Sequence, residues 1–291
     1  MRLCIGLLCA LLGGAPAIAQ SLAGAPVEKV AGGFRFIEGP AWSREGFLIF
    51  SDITGDRLHK FVPGVGVSVI AENVGQPNGN TYDAEGRRYT CLGRERRVVR
   101  TSKDGSVAVL AERFEGRRFN APNDIVVRRD GHVYFTDPAF GRHNERRELD
   151  FHGVYHVAPD GRLEAVARWT TRPNGVALSP DGRVLYVADS DARLVRAYDL
   201  DAAGTASNER IVIDGIAGVP DGLRTDDTGN LYVAGREIYA FAPGGRFLGA
   251  LALPETPANL AFGGTDLRTL FVTARTGLYR VSLAARGALQ Y

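Results

Sequence analysis

Short apolar runs alternate with turn-forming dipeptides along most of the chain. One such unit begins at Pro122-Asn123-Asp124, continues as the apolar run 125–127, turns at Asp130-Gly131 and ends in a second β-rich run, 132–136. Short runs rich in β-branched and aromatic side chains, bounded by such dipeptides, indicate antiparallel strands joined by hairpins. The unit recurs about every 40 to 50 residues, a spacing typical of propeller blades.

Six copies of this unit are present, and each opens with a polar residue that we name its head. The heads are Glu38, Asn78, Asn123, Asn174, Asp221 and Asn259. Second strands are predicted at 47–51, 88–91, 132–136, 184–188, 230–234 and 269–273, and third strands at 58–62, 98–101, 154–158, 195–199, 238–242 and 278–282. Fourth strands are predicted at 67–71, 107–111, 164–168, 210–213 and 248–253, which leaves the sixth unit one strand short.

The missing strand is available near the other end of the chain, at 27–33. Pairing it beside 278–282 would close the ring and cover an exposed strand edge. The sequence therefore predicts an all-β fold: one six-bladed β-propeller of four-stranded blades over 20–291, with the ring closed by an N-terminal strand that completes the last blade. Glycine is abundant, 36 of 291 residues, as suits a turn-rich β protein.

The first 19 residues have the pattern of an export signal. Arg2 provides the positive start, 3–12 the short apolar stretch and 17–19 the small residues of a cleavage site before Gln20. This pattern predicts an exported protein, periplasmic or secreted; the alternatives are an N-terminal anchor or a buried strand. The apolar stretch is too short to span a bilayer comfortably, so we expect no membrane span.

Charge and cysteine usage narrow the class of protein further. The chain has 35 basic against 33 acidic residues, a balance that implies no nucleic-acid partner. Cys4 and Cys9 would leave with the signal, so the mature chain would keep Cys91 alone and could form no internal disulfide. We expect Cys91 to be a small packing residue rather than a nucleophile.

The six heads should converge at one mouth of the central channel, because the first strand of each blade lines that channel. All six are oxygen donors, and two are carboxylates that would repel each other in a narrow tube. A hard divalent cation relieves that repulsion, and calcium is the first choice, with magnesium, manganese or zinc as alternatives. The competing interpretation is structural, since Pro-Asn-Gly and Pro-Asp-Gly are ordinary turn formers.

Four of the head motifs, one to a blade, resemble the senescence-marker/gluconolactonase/luciferin-regenerating family. They are Glu38-Gly39-Pro40, Pro122-Asn123-Asp124, Pro173-Asn174-Gly175 and Pro220-Asp221-Gly222. The resemblance implies one divalent metal held by Glu38, Asn123, Asn174 and Asp221. It also implies a gluconolactonase-like hydrolase that opens a small sugar lactone, in which the metal polarises the carbonyl and Asp221 is the general base on the attacking water.

Substrate contacts are expected from two further heads and two nearby residues. These are Asn78, Asn259, Asn120 and His143. His143 belongs to the long connection 139–152, which is either a lid or a charged surface loop. Many gluconolactonase-like members carry a Cys-Glu pair where this chain has Cys91-Leu92, a departure that bears on sugar specificity.

Two other functions stay open at the level of sequence. The first is a phosphotriesterase-like hydrolase, because the same metal can polarise a phosphoryl oxygen. The second is a non-catalytic ligand-binding propeller with calcium as a structural plug. The acids at the ends of second strands, Asp52, Asp137 and Asp189, either rim the mouth or cap the strands. The sequence does not indicate an oligomeric state.

Overall fold

The computed structural model describes residues 22–289. Within these residues, six four-stranded antiparallel sheets surround a central channel, and the first strand of each sheet contacts the first strands of both neighbouring sheets. Each sheet is one blade. The predicted all-β six-bladed propeller is confirmed. The expected export signal, 1–19, lies outside the described residues and stays a prediction.

The strands follow the chain blade by blade after an initial strand, β1 (Glu28–Gly32). Blade 1 contains β2 (Ile37–Ser43), β3 (Phe47–Asp52), β4 (Arg57–Val62) and β5 (Gly66–Glu72), and blade 2 contains β6 (Pro77–Tyr82), β7 (Arg88–Leu92), β8 (Arg97–Thr101) and β9 (Val107–Ala111). After the short pair β10 (Arg113–Phe114) and β11 (Arg117–Arg118), blade 3 contains β12 (Ile125–Val127), β13 (Val133–Asp137), β14 (His152–Val157) and β15 (Leu163–Trp169). Blade 4 contains β16 (Pro173–Leu178), β17 (Val184–Asp189), β18 (Leu194–Leu200) and β19 (Ala206–Ile213). Blade 5 contains β20 (Leu223–Thr225), β21 (Leu231–Ala234), β22 (Ile238–Phe241) and β23 (Phe247–Leu251), and blade 6 contains β24 (Asn259–Gly263), β25 (Thr269–Ala274) and β26 (Gly277–Ser282).

β1 closes the ring by pairing antiparallel with β26, as the fourth strand of blade 6. Glu28 lies opposite Arg280, and their side chains form an ion pair of 2.8 Å. A second ion pair joins Lys29 Nζ to Glu255 at 3.3 Å. Solvent-accessible pairs of this kind contribute less than about 1 kcal/mol each. Main-chain pairing along β1 and the burial of side chains beneath it therefore contribute most of the free energy that keeps the ring closed.

The hydrophobic core lies between adjacent blades. Tyr232 and Ile238 of blade 5 pack with Leu260 and Val272 of blade 6, and all four side chains are fully buried. This arrangement follows from the strand geometry, because successive side chains point to opposite faces and each blade is covered on both faces by its neighbours. Cys91 is free and buried in the corresponding cluster of blades 2 and 3. Within 22–289, none of the helices is long and apolar enough to cross a membrane.

Two elements were not expected from the sequence, and both lie near the third blade. One is the β10–β11 hairpin, and the other is a 3-10 helix, η1 (Gly141–Arg146), none of whose residues is buried. Neither element carries the apolar alternation of a blade strand. Of these two elements, η1 reaches the mouth of the channel, where His143 lines the cavity described below.

Candidate active site

A cavity of 340 Å³ opens at one mouth of the channel. Five of the six heads line its wall: Glu38, Asn78, Asn123, Asn174 and Asp221. The sixth, Asn259, is 1% exposed, and its side chain lies close enough to the Glu38 carboxyl to lower the pKa of that group. The register of the repeat therefore brings all six heads to the same end of the channel.

Glycines after the heads allow close approach between blades at this mouth. Gly79 donates its N–H to Asn123 O at 2.7 Å, and Gly175 donates to Asp221 O at 3.2 Å. A Cβ at Gly175 would lie 2.3 Å from Asp221 O, well inside van der Waals contact. Neither glycine has a positive φ. The Asn-Gly pairs, which by themselves indicate turns, are thus needed for contact between blades.

Hydroxyl groups in the second strands fix the main chain of the next blade's head. Ser51 Oγ donates to Asn78 O at 2.6 Å, and Thr136 Oγ1 donates to Asn174 O at 2.6 Å. Both hydroxyls are fully buried. These bonds hold the head carbonyls in place, so the head side chains project from a rigid main chain.

The orientation of the Asn174 side chain is set by its neighbours. Ser190 Oγ donates to Pro220 O at 2.8 Å, so it can only accept from Asn174 Nδ2, 3.1 Å away. The Asn174 Oδ1 atom is then buried, and no donor within 22–289 reaches it. Asn78 Oδ1 is buried and unpartnered in the same way. Buried polar atoms are normally satisfied, so unpartnered oxygens on the wall of a cavity point to an exogenous partner.

Two of the heads are carboxyl groups whose pKa values are raised by burial. Burial, with Asp124 as a neighbouring negative charge, raises the pKa of Glu38 to about 7. Burial also raises the pKa of Asp221 well above its usual value, and the charges of Glu38 and Asp124 add to the rise. The Gly39 N–H donates to Glu38 Oε2 at 2.8 Å and offsets part of this cost.

Asp124 and Arg224 form an ion pair in the channel that sequence analysis missed. Arg224 Nη1 donates to Asp124 Oδ2 at 3.2 Å, and the Val176 N–H donates to the same oxygen at 3.1 Å. Arg224 pairs with one of the three carboxyl groups gathered here, which leaves those of Glu38 and Asp221 as the groups that a cation could bind. A sequence signal existed, because position 124 is aspartate where four other heads are followed by glycine.

The residues expected to contact substrate occupy different positions. Asn78 and His143 line the cavity. Asn120 is instead 1% exposed, and its Nδ2 donates to two main-chain carbonyls, both at 3.0 Å. Asn259 is equally buried and lies against Glu38. The last two asparagines thus support the site from within the protein and do not line the cavity.

The acids at the ends of second strands cap main-chain segments. Asp52, Asp137 and Asp189 are all buried. Asp137 accepts the N–H groups of Asn120 and Ala121, both at 2.7 Å, and so holds the segment that leads to the third head. Burial raises the pKa of Asp137 to about 7. Capping, not rimming the mouth, is the role that the structure gives these acids.

The connection 139–152 forms a fixed side wall of the cavity. Its Phe140 and His143 side chains line the opening. Glu148 anchors the segment by accepting from Arg96 Nη1 at 3.0 Å and from the Arg118 N–H at 2.9 Å. Burial lowers the pKa of His143, so its ring is neutral at pH 7.

The residues at the channel mouth fit a hard cation. Within 22–289, no group of three or more histidine, cysteine, aspartate or glutamate side chains is placed to hold a metal. Glu38, Asn123, Asn174 and Asp221 combine two carboxylates with two amides, and oxygen-only sets of this kind suit calcium or magnesium better than zinc. The unpartnered Oδ1 of Asn174 is the observation that supports this fit.

Comparison with known proteins gives consistent matches over most of the chain. The SMP-30/gluconolactonase/LRE-like region matches residues 36–276. A gluconolactonase of Zymomonas mobilis is 33% identical over 287 residues, which cover 88% of this chain and 81% of the relative. Pentonolactonase XacC of Haloferax volcanii is 28% identical over 257 residues, which cover 84% of this chain and 82% of the relative.

A solved structure agrees with these matches. The gluconolactonase of Xanthomonas campestris has a TM-score of 0.83 and 31% identity, covering 90% of this chain and 91% of that one. The family expected from the head motifs is confirmed, as is the enzyme class, a lactonase hydrolase. The chain belongs to the SMP-30/gluconolactonase/LRE-like family.

Proposed function

We propose that the protein opens sugar lactones with the help of one divalent cation, calcium in the first place. The observation that carries this proposal is the cavity wall, which is lined by the unpartnered Asn174 Oδ1 and by two carboxyl groups that form no ion pair within 22–289. Glu38, Asn123, Asn174 and Asp221 would hold the cation. Their oxygen-only chemistry favours calcium, with magnesium, manganese and zinc as alternatives.

The chain's own residues would handle the water and its proton. A bound divalent cation supplies polarisation of the lactone carbonyl and stabilises the negative charge that develops on its oxygen. Asp221, on the cavity wall, accepts a proton from the water as the water oxygen bonds to the carbonyl carbon. The ring C–O bond then breaks, and the proton returns from Asp221 to the departing oxygen, which gives the open hydroxy acid.

The cavity has the size and the polar groups to orient a small lactone. Its 340 Å³ falls in the usual range for small-molecule sites. Asn78, Gln76 and His143 line it and can hydrogen-bond ring hydroxyls. The relatives named gluconolactonase and pentonolactonase support sugar lactones as the substrate class. The open cavity beside the heads favours a catalytic site over a structural calcium plug.

The test measures hydrolysis of glucono-1,5-lactone above the uncatalysed rate, before and after chelation and after calcium is returned. Asp221→Asn keeps the size of the side chain but removes the base, so we expect kcat to fall by about a hundredfold or more. The matched control is Asp214→Asn, an exposed acid in the same connection, which should leave the rate unchanged.

Three outcomes would contradict the proposal. Turnover that survives both chelation and Asp221→Asn would exclude this mechanism. Absence of turnover, with calcium still raising the melting temperature, would favour the non-catalytic propeller. Hydrolysis of a phosphotriester in place of any lactone would favour the phosphotriesterase-like alternative.

A further inference from the structure

The outer part of the cavity is largely apolar. Beyond the heads, its wall is formed by a set of hydrophobic side chains: Phe36, Ile53, Ala121, Pro122, Phe140 and Val219. The polar side chains that accompany them in the described part of the chain are Gln76 and His143. Glu38 and Asn174 are buried, whereas Phe140 is half-buried and Val219 is 55% exposed, so the cavity has a polar inner end and a hydrophobic outer end.

The hydrophobic outer end is held in a fixed shape. Asp52 accepts the Phe36 N–H at 3.0 Å, and the Ile53 N–H donates to Phe36 O at 2.9 Å, which locks these two residues together. Elsewhere on the wall, the Arg172 guanidinium stacks on the Phe140 ring at 4.6 Å. These contacts fix the positions of the apolar side chains, so the hydrophobic wall keeps its shape.

A sugar lactone placed with its carbonyl at the polar inner end would leave the hydrophobic outer end without a matching group. Each hydroxyl buried against hydrophobic side chains loses its hydrogen bonds to water and needs a replacement in the protein. Gln76 and His143 can serve two such groups, while most oxygen donors at the inner end are those assigned to the cation. The exposed apolar side chains, including Val219 at 55% exposure, would instead gain from covering by an alkyl group.

We propose that this site also hydrolyses lactones that carry an alkyl substituent, with the lactone carbonyl at the polar inner end and the alkyl chain against Phe36, Ile53, Phe140 and Val219. The inference rests on the proposed lactonase function and extends its substrate class. The reaction needs water alone as co-reactant: the water oxygen bonds to the carbonyl carbon, the ring C–O bond breaks, and both water protons end in the hydroxy acid.

The first experiment compares γ-butyrolactone, γ-hexalactone and γ-octalactone with glucono-1,5-lactone on the calcium-loaded protein. Each added methylene that is buried should raise kcat/KM by about fourfold until the hydrophobic wall is covered. Glucono-1,5-lactone turnover without any rise along the alkyl series would overturn this inference and leave the proposed lactonase intact. Failure to hydrolyse any lactone would overturn both.

The second experiment locates the alkyl chain within the cavity. Val219→Thr keeps the shape of the side chain and adds a hydroxyl, and Phe140→Ala removes the ring. Each should lower the ratio of kcat/KM for γ-octalactone over γ-butyrolactone at least threefold. Both rates come from one sample, so any loss of folded protein cancels in the ratio.

The matched control is Val107→Thr, an exposed valine on the outer strand of blade 2, 63% accessible and outside the cavity. Its ratio should equal that of the wild type. A chain-length preference that persists unchanged in both Val219→Thr and Phe140→Ala would show that the alkyl chain binds elsewhere, and would overturn the assignment.

Discussion

At the scale of single residues, the carboxyl groups that would bind a cation at the channel mouth are unfavourable for the stability of the cation-free protein. Glu38 is 4% exposed, and burial raises its pKa to about 7. Its ionised form is therefore unfavourable in the folded protein until a cation arrives. Asp124 is instead paired with the Arg224 guanidinium, 3.2 Å away. The structure thus pairs one carboxylate internally and leaves Glu38 and Asp221 for a ligand.

Glu38→Gln should stabilise the cation-free protein while abolishing its response to calcium. At about pH 8 the Glu38 carboxylate is ionised and its burial is unfavourable, so the neutral amide should raise the free energy of unfolding by about 1 to 3 kcal/mol. Urea unfolding in chelator measures the gain, and melting with added calcium measures the loss of response. Glu112→Gln, an exposed site, serves as control. A variant less stable than wild type in chelator would contradict the prediction.

Gly175→Ala tests the close approach of blades 4 and 5. The new Cβ would meet Asp221 O at 2.3 Å, so the two blades must separate, at a cost of about 1 to 3 kcal/mol in the free energy of unfolding. Gly244→Ala is the matched control, because its Cβ would meet nothing within 4 Å. Urea unfolding of both variants provides the comparison. Equal stabilities would show that position 175 needs no glycine.

The sequence predicts the heads but not the ion pair between them. Each head follows a repeated motif, so its register is visible without any structure. Asp124 and Arg224 lie 100 positions apart, and their contact depends on how the first strands of blades 3 and 5 face across the channel. The prediction that Asn120 contacts substrate is wrong for a related reason. Asn120 is close to Asn123 along the chain, but that proximity does not reveal that its amide hydrogen-bonds main-chain carbonyls inside the protein.

At the scale of elements, hydrophobic alternation predicts the blade strands well and the connections poorly. The second strand predicted at 132–136 is β13 (Val133–Asp137) in the structure. The η1 helix, in contrast, buries none of its residues and so leaves no apolar pattern to detect. Side-chain contacts made by distant arginines, such as Arg96 to Glu148, fix this connection in place.

His152 should make the connection 139–152 sensitive to acid. Its Nδ1 accepts the Ala139 N–H at 3.2 Å, which requires a ring nitrogen without a proton. Burial, with Arg147 and Arg172 nearby, lowers the pKa of His152 to about 4. The unfolded chain has a value of about 6.5 and binds more protons, so the free energy of unfolding should fall as pH falls from about 6.5 to 4.

His152→Gln should weaken this acid sensitivity, because the Gln Oε1 atom can accept the same N–H and does not titrate. Urea unfolding between about pH 7.5 and 4.5 gives the two pH profiles. The variant's profile should be flatter than that of the wild type, although the other four histidines, whose pKa values are also lowered by burial, still contribute. Two parallel profiles would contradict the assignment to His152.

At the scale of the whole molecule, the channel mouth is where the blades meet, so the site and the ring stabilise each other. The repeat predicts the number of blades and the closure by β1, because both depend on counting strands. The candidate ligands come from blades 1, 3, 4 and 5. A cation bound there would link four blades in the folded state alone, and its binding free energy would therefore add to the stability of the entire ring.

Stabilisation by calcium should consequently grow with pH. Burial raises the pKa of Glu38 to about 7 and raises that of Asp221 as well, so in slightly acidic solution both carboxyls hold protons that a cation must displace. The rise in melting temperature on adding calcium should be small near pH 5.5 and several-fold larger near pH 8, where the Glu38 carboxyl no longer holds a proton that calcium must displace. Because the acid sensitivity of His152 affects samples with and without calcium alike, the difference between the two melts isolates the site. Glu38→Gln should remove the calcium response at every pH, while a wild-type response of constant size from pH 5.5 to 8 would show that these carboxyls do not bind the cation.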